Sequence, residues 1–231
     1  MGFRIQRPEE PMGFGFYTEQ STSIESKSDL SGAKRVFDFS MALVALVFLA
    51  PLILLAALLV WLQDGRSPIF GHQRYGKNGR IFRCYKIRSM VPDAKCQLER
   101  ILATDPAAKR EWDLAQKLTN DPRITPLGKF LRSSSIDELP QLWNIIRGDM
   151  SIVGPRPIVK NEIEKYGESY AYYSSVRPGL TGLWQVKGRS DTTYKERIAL
   201  DVEYVQNQSF FNDISIIVQT VPAILKSRGA I

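Results

Sequence analysis

Three features of this chain lead to the expectation of an α+β, mainly helical protein. A long uncharged run lies in its first third, two short apolar-alternating segments flank a Lys-Asn-Gly turn, and much of the rest carries apolar residues at helical spacing. Composition narrows the function. Of 231 residues, 31 are Lys or Arg and 24 are Asp or Glu, a formal net charge of +7, so an anionic partner is expected. A membrane surface, a nucleic acid and a phosphorylated substrate all fit. The two cysteines, Cys84 and Cys96, argue against a disulfide-stapled fold or a Cys-rich zinc site, and the single histidine, His72, removes most His-based metal sites. Chemistry must then run on carboxylates, Lys and Arg, with a hard cation where one is needed.

Residues 1–32, rich in Gly, Pro, Ser and acids without periodicity, read as a flexible N-terminal tail. From Met41 to Leu62 the chain runs MALVALVFLAPLILLAALLVWL, about 22 residues without a charge, long enough to span a bilayer as a helix. Core helices of soluble proteins rarely extend so far without a polar residue, so a membrane segment is expected over 33–64. Pro51 sits at its middle, where a proline deletes a backbone hydrogen bond and predicts a bend. Cations mark both flanks: Lys34 and Arg35 precede the run, and Arg66, Arg74, Lys77, Arg80, Arg83, Lys86 and Arg88 follow it. Positive charge marks the cytoplasmic side. A straight span satisfies one flank only. A re-entrant hairpin broken at Pro51 satisfies both and is favoured over a kinked span, the alternative that membrane helices allow.

Residues 65–231 then read as one membrane-associated domain on the cytosolic side. Its first part, SPIFGHQRYGKNGRIFRCYKIRSM, reads as a small β-hairpin about Lys77-Asn78-Gly79, with Arg80, Arg83, Lys86 and Arg88 along the second strand. Gly71 to Asn78 copies the spacing of a phosphate-binding P-loop. Asn78 replaces the hydroxyl residue, though, and strand-like residues follow where a helix should, so the match is a coincidence. Residues 93–118 predict two short helices broken near Asp105-Pro106. The stretch SSSIDELPQLWNIIRGDMS predicts a helix with Ile136, Leu139, Leu142, Trp143 and Ile146 on its apolar stripe and Gly148 as its stop. Further helices are expected over 158–173 and 194–225. The apolar positions of the last, from Phe210 to Leu225, suit a membrane surface or a domain core. Both cysteines are expected to pack as small hydrophobes.

The strongest chemical signal is Asp137-Glu138 beside Pro140. Proline is comfortable in the first turn of a helix, which puts the two acids at or just before a helix N-terminus. Ser135 to Glu138 also fits a capping box, in which the acids merely complement the helix dipole. The surroundings favour more than capping. Arg123, Lys129 and Arg132 precede the pair, and Arg147, Arg156 and Arg177 follow it. Gly154-Pro155-Arg156-Pro157 and Arg177-Pro178-Gly179 each hold an arginine among residues that stiffen or turn the backbone, which suits anion binding. Adjacent carboxylates can divide labour, one attacking phosphorus and the other ligating Mg²⁺.

These residues resemble the bacterial sugar transferase family, the monotopic polyprenyl-phosphate hexose-1-phosphate transferases. The resemblance runs from about Lys34 to the C-terminus. Its motifs are KRVFD at 34–38, YKIRSM at 85–90, DPRITPLGKFLRSSSIDELPQLWNIIRGDMSIVGPRP at 121–157 and RPGLTGLWQVKGRS at 177–190. The resemblance implies a re-entrant membrane helix at the cytoplasmic face of the bacterial inner membrane. It also implies Mg²⁺-dependent transfer of a sugar-1-phosphate from a UDP-sugar to undecaprenyl phosphate with release of UMP, a first membrane step of exopolysaccharide synthesis. On the family pattern Asp137 forms a phosphosugar ester and Glu138 binds the metal. Lys86, Arg88, Arg132, Arg156 and Arg177 are then the expected phosphate and substrate contacts. One departure is Ala50-Pro51 where many members have Ser-Pro. The C-terminal TVPAILKSRGAI is most similar to galactose-1-phosphate transferases, with glucose-1-phosphate as the alternative. No nucleic-acid partner is expected, and a homodimer is left open. Two competing readings are a non-catalytic basic module at the membrane surface and a lipid-diphosphate hydrolase using the same carboxylates on water.

Overall fold

The computed structural model describes residues 31–115, 118–188 and 192–225. The expected tail lies outside them apart from its last two residues, as do the ends of the 177–190 motif and of the C-terminal stretch. Helix α1 (Ser31–Asp64) is 34 residues long and contains Pro51. The expected break therefore does not interrupt it. Pro51 removes one backbone donor, but the Leu- and Ala-rich turns on either side keep the rest of the ladder intact. Only 11% of the most apolar window of α1 is buried, so it is no core helix, and by length and composition it could cross a membrane.

One stripe of α1 is nevertheless covered by the domain. Ala42 packs with Phe82, Cys84, Leu142, Ile145 and Met150, and further along Ala56 and Val60 pack with Ile87 and Leu131. Small side chains at 42 and 56 let the helix come close. Its polar residues are satisfied by the domain as well. Lys34 pairs with Asp213. Arg35 donates to the Ile145 and Ile146 carbonyls at 2.5 and 2.7 Å. Asp38, 2% exposed, accepts from Ser151 Oγ at 2.7 Å and Ile152 N at 3.1 Å. At the far end Asp64 takes two hydrogen bonds from Arg88, each 2.6 Å.

The expected hairpin is present. Strands β1 (Ile69–Tyr75) and β2 (Ile81–Ile87) pair antiparallel across a 3₁₀ turn at Lys77–Gly79, where Asn78 is left-handed at φ 56°. The two short helices follow as α2 (Ala94–Thr104) and α3 (Pro106–Ala115), and Asp105 Oδ1 accepts from the amides of Ala107 and Ala108 at the start of the second. Next come α4 (Pro126–Ser133), a 3₁₀ turn at Ile136–Glu138, and α5 (Gln141–Arg147), which Gly148 ends at φ 87°. The helix expected across the Asp-Glu pair is thus shorter and begins only after Pro140. Its buried face also differs from the expected stripe. Trp143 is 50% exposed, whereas Asn144 and Ile145 are fully buried. Asn144 ties α5 to β2, donating to the Arg83 carbonyl at 2.7 Å and accepting from Tyr85 N at 3.0 Å.

A second sheet was not anticipated. Strand β3 (Ser151–Val153) pairs parallel with β4 (Gly179–Thr181), three residues each and too short to leave a period. This pair brings together the two Gly-Pro-Arg loops that the sequence offered separately. Gly154 N donates to the Thr181 carbonyl at 2.9 Å and Gly179 N to the Pro155 carbonyl at 2.8 Å. The backbones touch, since a Cβ on Gly179 would lie 2.1 Å from Gly154 N. Helices α6 (Lys160–Tyr166), α7 (Tyr170–Ser175), α8 (Leu183–Lys187), α9 (Tyr194–Gln206) and α10 (Phe210–Leu225) complete the chain. The helices expected over 158–173 and 194–225 are each divided, at Gly167 (φ 51°) and at Asn207–Ser209, where Ser209 Oγ accepts from Asn212 N. On α10, Ile216 is fully buried while Phe211 is 85% exposed, so one face serves the core and the other is uncovered.

Gly179→Ala should force the two loops apart and cost about 3 kcal/mol, in the range of overpacked interiors. Denaturant titration of the detergent-solubilised protein measures this, and an unchanged midpoint would contradict the close backbone approach.

Candidate active site

The segment 121–138 reads as a set of local devices that deliver the Asp-Glu pair. Asp121 and Arg123 form a two-pronged pair at 2.8 and 2.6 Å that fixes the incoming loop. Thr125 caps α4 by accepting from Gly128 N at 2.9 Å, and Pro126 occupies the first helical position. Gly128 admits the Ser89 carbonyl, which would lie 1.9 Å from a Cβ there. Arg132 then reaches back, its Nε donating to Ser89 Oγ at 2.8 Å. After α4, Ser135 adopts the left-handed conformation (φ 58°, ψ 14°), which reverses the chain into the 3₁₀ turn carrying Asp137 and Glu138. Neither a Ser135 cap nor a side-chain cap on α5 is formed. The capping-box reading is not realised, and both acids are available for other work.

Their surroundings differ. Asp137 is 6% exposed, and Glu138 is half-buried in the wall of a small, open cleft. That cleft is lined by Arg74, Cys84, Lys86, Gln141, Arg156 and Gln185 among others. Lys86 Nζ donates to Glu138 Oε1 at 2.5 Å. Burial alone would raise the Glu138 carboxyl, but Lys86, Arg156 and Arg74 more than offset it and hold Glu138 below the usual carboxylate range. Asp137 goes the other way. Burial pushes it up and the adjacent Glu138 adds to this, while Lys86 and Arg132 pull down, leaving it at about 6.

Of the expected contacts, the structure brings Lys86 and Arg156 to the cleft and sets Arg132 against Asp137. It directs the other two elsewhere: Arg88 bonds Asp64, and Arg177 Nε donates to the Gly148 carbonyl at 2.9 Å. Arg74, Gln141 and Gln185 are lining residues that sequence reasoning missed. For Arg74 a signal was available. With the hairpin centred on 77–79, Arg74 faces Phe82 and His72 faces Cys84, so Arg74 shares a strand face with Cys84 and Lys86. The same alternation turns Arg83 to the opposite face. Arg74 Nη1 donates to the Pro157 carbonyl at 3.0 Å, and the Arg156 guanidinium lies 6.0 Å from the Trp184 ring centre, so both are held in place at the rim.

Among the described residues no three His, Cys, Asp or Glu side chains gather into a metal site. The Asp-Glu pair does supply hard oxygen donors beside a cationic cleft. Magnesium is commonly held by one or two carboxylates plus substrate phosphates rather than by an all-protein cage, and this donor set fits that pattern.

Residues 30–227 match the family model described as bacterial sugar transferase. The chain belongs to that family. The resemblance drawn from the four motifs is thereby borne out. An Erwinia amylovora protein named UDP-galactose-lipid carrier transferase is 50% identical over 197 residues, covering 85% of this chain and 41% of its own. The exopolysaccharide production protein ExoY of Rhizobium meliloti is also 50% identical, over 86% of this chain and 88% of its own. The undecaprenyl-phosphate galactose phosphotransferase of Salmonella typhimurium is 47% identical, over 85% and 41%. The chain therefore spans about two fifths of the Erwinia and Salmonella proteins and most of ExoY.

Replacing Lys86 by Met removes the closest positive charge from both acids, so both carboxyl midpoints should move upward. Carbon-detected NMR titration of labelled Asp and Glu side chains tests this, and a Glu138 midpoint that stays put would assign its depression to the arginines alone.

Proposed function

We propose that this sugar transferase moves a hexose-1-phosphate, galactose-1-phosphate in the first instance, from a UDP-sugar to undecaprenyl phosphate. The observation that carries this reading is the uncapped Asp137-Glu138 pair, one acid buried and the other ion-paired, beside a cleft lined by Arg74, Lys86 and Arg156. The names of the Erwinia and Salmonella relatives support galactose and a lipid acceptor. A glucose-1-phosphate transferase of Caulobacter vibrioides, 39% identical, keeps glucose as the competing sugar.

In this reading an Asp137 carboxylate oxygen attacks the phosphorus that bears the sugar. The bond from that phosphorus to the bridging oxygen breaks, and UMP leaves with the electron pair. A phosphate oxygen of the lipid then attacks the same phosphorus and expels Asp137 as the free carboxylate, giving lipid-diphosphate-sugar. Bound Mg²⁺, held by Glu138 and the substrate phosphates, would supply charge neutralisation at the diphosphate. Lys86 orients Glu138, while Arg74 and Arg156 face the anion from the cleft.

The anchoring of α1 supports a re-entrant placement at the cytoplasmic face. Its N-terminal residues Lys34, Arg35 and Asp38 and its C-terminal Asp64 all bond to one domain. A helix crossing the full hydrocarbon layer of about 30 Å would place those ends on opposite sides. A re-entrant course, with α1 entering and leaving the bilayer on one side, keeps both ends on the domain and sets the cleft at headgroup depth.

Asp137→Asn should abolish both UMP release and the phosphosugar adduct while leaving membrane association intact, and an active variant would refute the assignment of the nucleophile. Because the reacting form is the carboxylate, adduct formation should decline as pH falls through about 6, with roughly a tenfold loss for each further unit below. Rapid-quench mass spectrometry follows it, and a rate flat from pH 7 to pH 5 would contradict attack by Asp137.

A further inference from the structure

Gln185 stands in the first turn of α8 and lines the same cleft as Glu138, Lys86, Arg74 and Arg156. Its Nε2 donates to the Leu180 carbonyl at 3.3 Å. Its Oε1 is buried without a hydrogen-bond partner, one of two such side-chain oxygens among the described residues. The amide cannot be turned round to relieve this, since Oε1 would then face the Leu180 carbonyl, acceptor against acceptor. Gly182 contributes by staying small, as a Cβ there would press to 3.1 Å from Oε1. An unsatisfied buried amide oxygen costs about 1–3 kcal/mol, and native structures retain few of them, with a functional role or a bound water, ion or ligand among the reasons.

The chemistry of the cleft says what completes it. Arg74, Lys86 and Arg156 are donors suited to phosphate oxygens, and a phosphate presents mainly acceptors. Phosphates therefore satisfy the cations and leave Oε1 unserved. A ligand that fits the whole cleft must carry an O–H or N–H close to its phosphates. We propose that Gln185 is a substrate-contacting residue that accepts a hydrogen bond from the donor nucleotide-sugar and so distinguishes it from a bare diphosphate. Two parts of that substrate carry such a donor, the hexose with its hydroxyls and the uridine with its ribose hydroxyls and uracil N3–H. The inference rests on the transferase reading for the identity of the ligand, but its geometry depends only on the cleft.

Calorimetric titration of the full chain in detergent tests it with three probes: UDP-galactose, UMP and inorganic pyrophosphate, each with Mg²⁺ present. Gln185→Leu should weaken UDP-galactose by about 3- to 10-fold, the loss of one neutral hydrogen bond, and leave pyrophosphate unchanged. If UMP weakens in step, the donor lies on the uridine; if UMP is unaffected, it is a hexose hydroxyl. Gln185→Glu, which keeps the acceptor and adds a negative charge, should weaken pyrophosphate as well. Unchanged UDP-galactose binding in Gln185→Leu, or an equal loss for pyrophosphate, overturns the proposal. A parent protein that binds UDP-galactose but forms no adduct would refute the transferase mechanism while leaving the Gln185 contact standing, so the two failures are separable.

Discussion

An apolar helix that carries charged groups at both ends can sit in only a few places, and this constraint organises the molecule. Lys34, Arg35, Asp38 and Asp64 must each find a partner, and every one finds it on the domain. Asp38 shows the stake most clearly. Its carboxylate is almost fully buried, and burying such a group without hydrogen bonds costs several kcal/mol. The Ser151 hydroxyl and the Ile152 amide remove that penalty only if β3 is in register beneath the helix. The elements that receive α1, namely β2, α5 and β3, also build or adjoin the cleft. The position of the apolar helix and the geometry of the site are therefore set by one set of contacts.

Within the site, two neighbouring carboxyl groups are driven apart in acidity by position alone. Glu138 sits against Lys86 and faces two arginines, and that combined charge outweighs burial. Asp137, one residue earlier, is more deeply enclosed and has fewer cations near it, so burial wins. A pair separated in this way can do two jobs at neutral pH. The lower member stays ionised and serves as a fixed anion. The higher member has the more basic oxygens, yet is still mostly ionised at pH 7.

How much of this was legible in the sequence depended on how local the cause was. The long apolar run, the hairpin about Asn78, the stop at Gly148 and the placement of Asp137-Glu138 just before a helix start were all readable, because each follows from a few adjacent residues. The parallel pair β3–β4 was hidden, since three-residue strands have no measurable period and their partners lie far apart in the chain. Arg88 and Arg177 looked identical to Arg156 as sequence, each a cation beside a stiff turn or a strand. Their fates were decided by Asp64 and the Gly148 carbonyl, which only the fold brings near. Gln185 lies within the 177–190 motif, but nothing in that stretch singles it out from its neighbours. Its interest comes from an unsatisfied oxygen, a property of packing rather than of residue order.

The distribution of cations also bears on the direction of the proposed displacement. In a 3₁₀ turn successive side chains point about 120° apart, so with Glu138 in the cleft wall Asp137 is directed away from its centre. The cations that act most on Asp137 are Lys86 and Arg132, whereas Glu138 feels Lys86, Arg156 and Arg74. Lys86 is thus common to both, with Arg132 on one side and Arg74 and Arg156 on the other. In-line phosphoryl transfer places nucleophile and leaving group on opposite sides of phosphorus. If Asp137 is the nucleophile, the phosphorus belongs beside Lys86 and the departing nucleotide phosphate on the side of Arg74 and Arg156. Those arginines could then stabilise the charge that develops as UMP leaves, without lying so close to Asp137 that they quench its reactivity.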